Sequence, residues 1–248
     1  QRHLTEPSQY EFMLPVYQRL PVSHAVEQLK EADVVFFSVY VWNFQLSLAI
    51  AKRLKSRVVF GGPHVTPDLC EKYPFVDDIC KGEGERTAVA ILEGKDKSNG
   101  RIQDMDTIPS PYLDDVFEPL IKAYPKENWI ALWETNRGCP FSCTFCDWGS
   151  ATQSKVYKFE MDRLRKEVDW FAEHKIEYVY CCDANFGMLP RDLEIAQYVA
   201  ETKRKTGYPH KLSVQNTKNS TERSYSVQKL LSDQGLNQGV TVSMQSLE

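Results

Sequence analysis

The sequence predicts two α/β domains, a doubly wound parallel sheet followed by part of a β/α barrel. Short runs rich in valine and phenylalanine, typical of buried parallel strands, alternate with segments whose apolar residues recur at helical spacing. A stretch crowded with proline, glycine and polar residues interrupts the alternation at residues 95–128. We therefore expect one domain at residues 1–94, a linker at 95–128 and a second domain at 129–248.

In the first domain, the apolar pattern predicts three strands and three helices. The run at residues 33–40 predicts a strand buried on both of its faces. The strands are expected at residues 33–40, 57–60 and 75–80, and the helices at residues 22–29, at 46–54 and from Gly82 to a stop at Gly94.

The second domain reads as four strands and three helices in strict alternation, from residue 129 to a last strand at residues 239–246. A complete barrel of this type has eight strands, so we expect only its first half. Because the chain stops on a strand and begins with Gln1, we also expect it to be a fragment, cut at the C-terminus and incomplete at the N-terminus.

Composition excludes several classes of protein. The net charge is −4, which lacks the basic footprint of a nucleic-acid-binding protein. The sequence contains no apolar run long enough to span a membrane and no signal-peptide pattern. Seven cysteines, an odd count, do not indicate a disulfide framework. Free thiols in such a chain predict a reducing cytoplasm.

Three of the cysteines, Cys139, Cys143 and Cys146, lie on one short loop directly after a predicted strand. Thiolates are the usual ligands of iron–sulfur clusters, and three of them can hold three irons of a cubane and leave the fourth iron open. The alternative is a structural zinc ion, which takes four ligands. The fourth would then come from elsewhere, and the residues that could supply it are Cys181, Cys182 and His174.

The spacing Cys-x-x-x-Cys-x-x-Cys, with the aromatic Phe145 before the last cysteine, resembles the signature of radical S-adenosylmethionine (SAM) enzymes. The resemblance implies a 4Fe–4S cluster whose open iron binds SAM, and reductive cleavage of SAM to a 5′-deoxyadenosyl radical. It also implies SAM contacts from Phe145, from the end of the second barrel strand and from the fourth strand. The implied residues are Phe145, Asp183, Asn185, Ser243, Gln245 and Ser246. For Asp183 and Asn185, a turn that caps the strand is an equally open alternative. For the fourth-strand residues, the alternative is ordinary strand polarity.

The first domain resembles the cobalamin-binding domain that precedes the barrel in one branch of this family. The resemblance lies in SVYVWN, VVFGGPHVTP and KGEGE, each just after a predicted strand, where open α/β sheets bind ligands. It implies cobalamin contacts from these three loops; the alternative is that the glycines serve turns only. The implied residues are Tyr40, Trp42, Asn43, Gly61, Gly62, Gly82, Glu83 and Gly84.

Together these resemblances imply a cobalamin-dependent radical SAM enzyme that transfers a methyl group to an unactivated carbon. One alternative is a non-methylating member, a cyclase or a rearrangement enzyme. A second, from another class, is a zinc-binding protein without catalysis. The expected partners are a small-molecule or peptide substrate and an electron donor such as flavodoxin or ferredoxin, with no nucleic acid.

Overall fold

The structure is a computed structural model and describes residues 4–95, 100–143, 146, 155–217, 221–237 and 239. The chain divides into two compact units, residues 1–102 and residues 103–248. The boundaries 1–94, 95–128 and 129–248 stay a prediction. Among the described residues, no helix is both long enough and apolar enough to cross a membrane.

The first unit contains a parallel three-stranded sheet in the order β1-β2-β3, with helices between the strands. Its elements are α1 (Val22–Leu29), β1 (Val34–Ser38), α2 (Phe44–Ala51), β2 (Arg57–Gly61), α3 (Leu69–Lys72), β3 (Asp78–Cys80) and α4 (Gly84–Glu93). Helix α4 ends where its periodicity predicts, because Gly94 adopts the left-handed conformation at φ 65°.

The core of the first unit lies on both sides of the sheet. Val58 and Phe60 of β2 are fully buried on one side, against α2 and the residues that follow β2. Val59 is fully buried on the other side, with Cys80 of β3 and Ile91 of α4.

The prediction that β1 is buried on both faces is wrong. Val35 is buried, but the side chain of Phe36 on the opposite face is 40% exposed. Strand β1 lies at the edge of the three described strands, so fewer neighbours cover it.

The second unit contains the parallel sheet β4-β7-β8 and a separate antiparallel pair, β5 with β6. No closed barrel is formed by the residues that the structure describes, and the predicted strand at 239–246 lies outside them except for Gly239. The elements are α5 (Glu118–Ala123), β4 (Ile130–Trp133), β5 (Asn136–Arg137), β6 (Tyr157–Lys158), α6 (Met161–Glu173), β7 (Tyr178–Cys181), α7 (Pro190–Thr206), β8 (Lys211–Ser213) and α8 (Glu222–Asp233).

Local sequence explains the ends of these helices. Pro190 stands at the first position of α7, where its missing N–H has no partner to lose. Thr221 caps α8 by accepting a hydrogen bond from the backbone N–H of Ser224.

Strand β4 presents its two faces differently. Ala131 and Trp133 are buried, and the Trp133 ring meets Phe171 of α6 edge-on. Ile130 and Leu132, on the other face, are 59% and 66% exposed. The described helices of this unit therefore cover one face of β4, and among the described residues nothing buries Ile130 and Leu132 on the other face.

A buried carboxylate joins α6 to β4. Glu167 is 2% exposed. Its oxygens accept hydrogen bonds from Trp133 Nε1 at 2.8 Å, Ser110 Oγ at 2.6 Å and Arg163 Nε at 2.9 Å. A buried charge is tolerated only with such partners. Ser110 lies in the stretch whose composition predicts a linker, so this part of the stretch is packed against α6.

Candidate functional site

The cysteine loop begins immediately after β5. Gly138 has a φ of 122°, a conformation that favours glycine, and turns the chain into Cys139. Cys139 is 8% exposed, whereas Cys143 and Cys146 are half-buried. The backbone N–H of Cys146 donates to the carbonyl of Cys143 at 3.1 Å. Phe145 lies outside the described residues.

Asp183, after β7, holds the segment that leads into this loop. Its side chain is 1% exposed, and its carboxylate accepts from the backbone N–H groups of Thr135 at 2.8 Å and Asn136 at 3.1 Å. The Thr135 hydroxyl also donates to it, and Asn136 Nδ2 does so at 2.7 Å. Burial raises the pKa of Asp183 to about 7, although these donors act in the opposite direction. Both oxygens are thus engaged by the chain itself, and the predicted contact of Asp183 with SAM stays a prediction.

Asn185 is brought together with the first cysteine of the loop. Its Nδ2 lies 3.2 Å from Cys139 Sγ, and the side chains are 5% and 8% exposed. The predicted SAM contact of Asn185 stays a prediction. The other predicted SAM contacts, Ser243, Gln245 and Ser246, lie outside the described residues.

The loop that carries Asn185 is anchored by Asp192 of α7. The Asp192 carboxylate is completely buried and accepts from the backbone N–H groups of Gly187 and Leu189, each at 2.8 Å. Burial raises the pKa of Asp192, opposed first by these two donors. The backbone N–H of Phe186, the residue before Gly187, donates to the carbonyl of Gln215 at 2.8 Å, in the segment that follows β8.

Sequence reasoning missed Asn136, Thr135 and Asp192 as residues that shape this site. The first two follow β4 directly in the run ETNRGC, and that position before the cysteine loop is the only signal for them. Arg137, next in this run, forms an ion pair with Glu134 at 2.8 Å. Nothing in the local pattern predicts that Asp192 turns back to bind Gly187.

Of the residues considered for a fourth zinc ligand, His174 is used elsewhere. His174 Nε2 lies 2.7 Å from Glu118, and its ring stacks on Trp170. Cys181 is fully buried in β7, which raises the pKa of its thiol, and burial also raises that of Cys182. Within the described ranges, which include the three loop cysteines, no three His, Cys, Asp or Glu side chains are gathered so as to hold a metal ion.

The chemistry of the donor set fits a cluster better than a single ion. Three thiols within eight residues are enough to give one ligand to each of three irons, whereas a structural zinc ion needs a fourth ligand. None of the seven cysteines, all within the described part of the chain, forms a disulfide that would remove a thiol from use.

In the first unit, the three predicted loops lie at the carboxyl end of one parallel sheet. After β1, the rings of Tyr40 and Trp42 stack at 4.5 Å, and Trp42 is 74% exposed. Asn43 closes this turn, since its side chain accepts from the Tyr40 N–H at 2.7 Å and donates to the Ser38 carbonyl at 2.8 Å.

The glycine pair at the end of β2 allows neighbouring backbone segments to approach closely. Gly62 has a φ of 107°, and a Cβ placed there would lie 2.7 Å from the Val39 carbonyl oxygen. At Gly61, a Cβ would lie 3.3 Å from Cys80 Cβ. Both glycines therefore make room for neighbouring residues that approach their backbone closely. Their predicted contact with cobalamin stays a prediction.

The GEGE loop after β3 is hydrogen-bonded to the last residues of the first unit. Glu83 accepts a hydrogen bond from the Ile102 N–H at 2.6 Å and lies 3.5 Å from Arg101 Nε. Gly82 has a φ of 77° and no atom near the place of a Cβ, while Gly84 begins α4. The carboxylate of Glu83 is thus occupied, whereas Gly82 lies at an open surface.

The comparisons with known proteins agree with both units. The B12-binding domain model matches residues 17–92, which lie within the first unit. The chain is 40% identical to the cobalamin-dependent radical SAM methyltransferase TokK of Streptomyces tokunonensis. It is 38% identical to the 2-(S-pantetheinyl)-carbapenam-3-carboxylate methyltransferase of Streptantibioticus cattleyicolor. Each match covers 96% of this chain and 40% of the relative, so the chain spans about two fifths of these relatives' length.

A solved structure supports the fold. The radical SAM methyltransferase TsrM of Kitasatospora setae, with cobalamin and a [4Fe-4S] cluster bound, matches 85% of this chain and 49% of its own with a TM-score of 0.57 at 15% identity. The predicted fold class, an α/β cobalamin-binding sheet followed by part of a radical SAM barrel, is confirmed. Over almost its whole length, the chain is similar to cobalamin-dependent radical SAM methyltransferases.

Proposed function

We propose that this chain supplies the cofactor-binding part of a cobalamin-dependent radical SAM methyltransferase. The observation that carries the proposal is the loop of Cys139, Cys143 and Cys146, following a B12-binding domain in one chain. The two methyltransferase relatives, aligned over 96% of the chain, support methyl transfer over the other chemistries of the family.

When bound, the cofactors supply the chemistry: the reduced cluster provides one electron for cleavage of SAM, and cobalamin carries the methyl group. The protein binds and orients them. Cys139, Cys143 and Cys146 bind the cluster as thiolates, and Asp183 fixes the backbone of Thr135 and Asn136 ahead of them. We propose that the loops at the carboxyl end of the first sheet receive cobalamin, with the exposed Trp42 as an apolar surface for it.

The substrate is proposed to be a small molecule or a peptide with an unactivated carbon. The proposed electron donor is a flavodoxin or a ferredoxin, because the cluster requires single electrons. A reducing cytoplasm is the proposed location, since the cluster ligands must remain thiolates and an oxidising compartment would favour disulfides between these free cysteines.

The test is anaerobic reconstitution with iron and sulfide, followed by electron paramagnetic resonance with and without SAM. The expected result is a cluster signal that shifts when SAM is added and is lost in Cys143→Ala. The matched control is Cys70→Ala in the first unit, which should keep the signal. A chain that takes up one zinc ion and no iron would contradict the proposal.

Product analysis separates methyl transfer from its alternative. With cobalamin and substrate present, methyl transfer yields S-adenosylhomocysteine together with 5′-deoxyadenosine. The appearance of 5′-deoxyadenosine alone would indicate a non-methylating cyclase or rearrangement enzyme instead.

A further inference from the structure

The amide of Asn185 makes a contact that the proposed methyl transfer does not by itself require. Its Nδ2 points at the sulfur of Cys139 from 3.2 Å. Both side chains are more than nine-tenths buried, so water cannot replace the contact. In so dry a place a hydrogen bond to a charged acceptor is strengthened.

The chain holds this amide in place through its own backbone. The Asn185 carbonyl accepts from the Met188 N–H at 3.3 Å, and the neighbouring Phe186 N–H donates to Gln215 at 2.8 Å. The loop is also fastened through Gly187 to the buried Asp192 at 2.8 Å. The position of the Asn185 side chain is thus set before any cofactor binds.

We propose that Asn185 is a positioning residue that donates a hydrogen bond to the cluster thiolate of Cys139 and thereby raises the reduction potential of the cluster. The inference rests on the proposed function, because it requires the cluster. Reduction adds one negative charge to the cluster, and part of that charge is carried by its sulfur ligands. A donor to one of these sulfurs therefore stabilises the reduced form more than the oxidised form.

The tuning role differs from the SAM contact expected at Asn185. The hydrogen bond to Cys139 exists in the chain alone, so its effect should be measurable without SAM. A residue that only contacts SAM would leave the potential unchanged until SAM is added.

The experiment is a redox titration of the reconstituted chain without SAM, with dithionite as reductant and the reduced cluster followed by electron paramagnetic resonance. The variants are Asn185→Ala and Asn185→Leu; leucine keeps the branched shape without the donor. The matched control is Asn237→Ala, because the Asn237 amide donates to Gln228 at 3.2 Å and not to a sulfur.

The expected result is that both Asn185 variants shift the equilibrium about tenfold towards the oxidised cluster, equivalent to about 59 mV for one electron. The control should titrate like the unmodified chain. Unchanged potentials in the variants would overturn the inference. So would Asn185 variants that keep the circular dichroism of the fold but take up no iron, because the contact would then be needed to hold the cluster. An unmodified chain without a 4Fe–4S signal would refute the proposed function itself.

Discussion

The backbone N–H of Thr135 donates to the buried carboxylate of Asp183 at 2.8 Å. Asp183, which follows β7, therefore fixes the segment that leads from the neighbouring strand β4 into the cysteine loop. Strands β4 and β7 are hydrogen-bonded neighbours, and this contact extends their pairing past the last residues of the sheet. Cys139 lies four residues beyond Thr135. The position of the first proposed cluster ligand therefore depends on a carboxylate far away in the sequence.

Asp183→Ala should destabilise the chain by about 3 kcal/mol, because it leaves several buried donors of Thr135 and Asn136 without an acceptor. Urea unfolding measures this change. The matched control is Asp169→Ala, whose carboxylate accepts an exposed hydrogen bond from Tyr198 and should cost less than about 0.5 kcal/mol. Equal losses in the two variants would contradict the assigned role of Asp183.

The stability of the cluster-free chain should depend on pH through Asp183. Its pKa is raised to about 7 by burial, whereas the unfolded carboxyl titrates near 3.8. Between these values the folded chain holds one proton more, so stability falls as the pH rises towards 7, by up to about 1.4 kcal/mol per pH unit. Above the pKa of Asp183 in the folded chain, the stability contributed by this bound proton is lost.

Urea midpoints of the cluster-free chain at pH 5, 6, 7 and 8 would check this dependence. Asp183→Asn, which does not titrate, should show a smaller decline over the same range. Part of the decline should persist there, because the pKa of Asp192 is also raised. A decline as steep in Asp183→Asn as in the unmodified chain would show that Asp183 does not contribute.

Gly62→Ala should destabilise the first unit by about 3 kcal/mol. The new Cβ would lie 2.7 Å from the Val39 carbonyl oxygen at a φ of 107°. Gly82→Ala is the matched control, because its φ of 77° imposes similar strain but no atom lies within 4 Å of the Cβ position. It should cost about 1 kcal/mol. Urea unfolding that ranks Gly82→Ala as the more damaging change would refute the close approach.

Trp42→Ala should weaken cobalamin binding about tenfold, or about 1.4 kcal/mol, with almost no change in the free energy of unfolding. Trp42 is 74% exposed and stacks only on Tyr40 among the rings described, so its loss costs the fold little. Absorbance titration with aquacobalamin measures the affinity. Tyr225→Ala, 62% exposed on α8, is the control expected to bind normally. An unaltered affinity in Trp42→Ala would remove Trp42 from the proposed site.

The elements that local periodicity determines could be predicted from sequence. Helix α1 has the predicted bounds, and β2 begins at the predicted residue, because an apolar face or an apolar run identifies each of them. Helix α5 was not predicted, since it lies in a stretch whose composition is that of a linker. The exposure of Phe36 was missed as well, because a strand's sequence does not tell whether it lies at the edge of its sheet.

The cysteine loop was recognisable because its ligands are close together in the sequence. The residues that support it were not. Asn185 and Cys139 are 46 residues apart, and Asp183 reaches Thr135 across 48. A polar residue at the end of a strand, such as Asp183 or Asn185, indicates a binding site. Only the folded sheet shows that its side chain is turned towards a neighbouring loop.

The open face of β4 has a practical consequence for anyone who purifies this chain. Ile130 and Leu132 are 59% and 66% exposed side by side on one strand face, an apolar surface that favours self-association. The chain should be retained on a hydrophobic-interaction column and should form larger species as its concentration rises. Leu132→Lys would place a charge in the middle of this surface and should yield a preparation that stays monodisperse at concentrations suitable for spectroscopy.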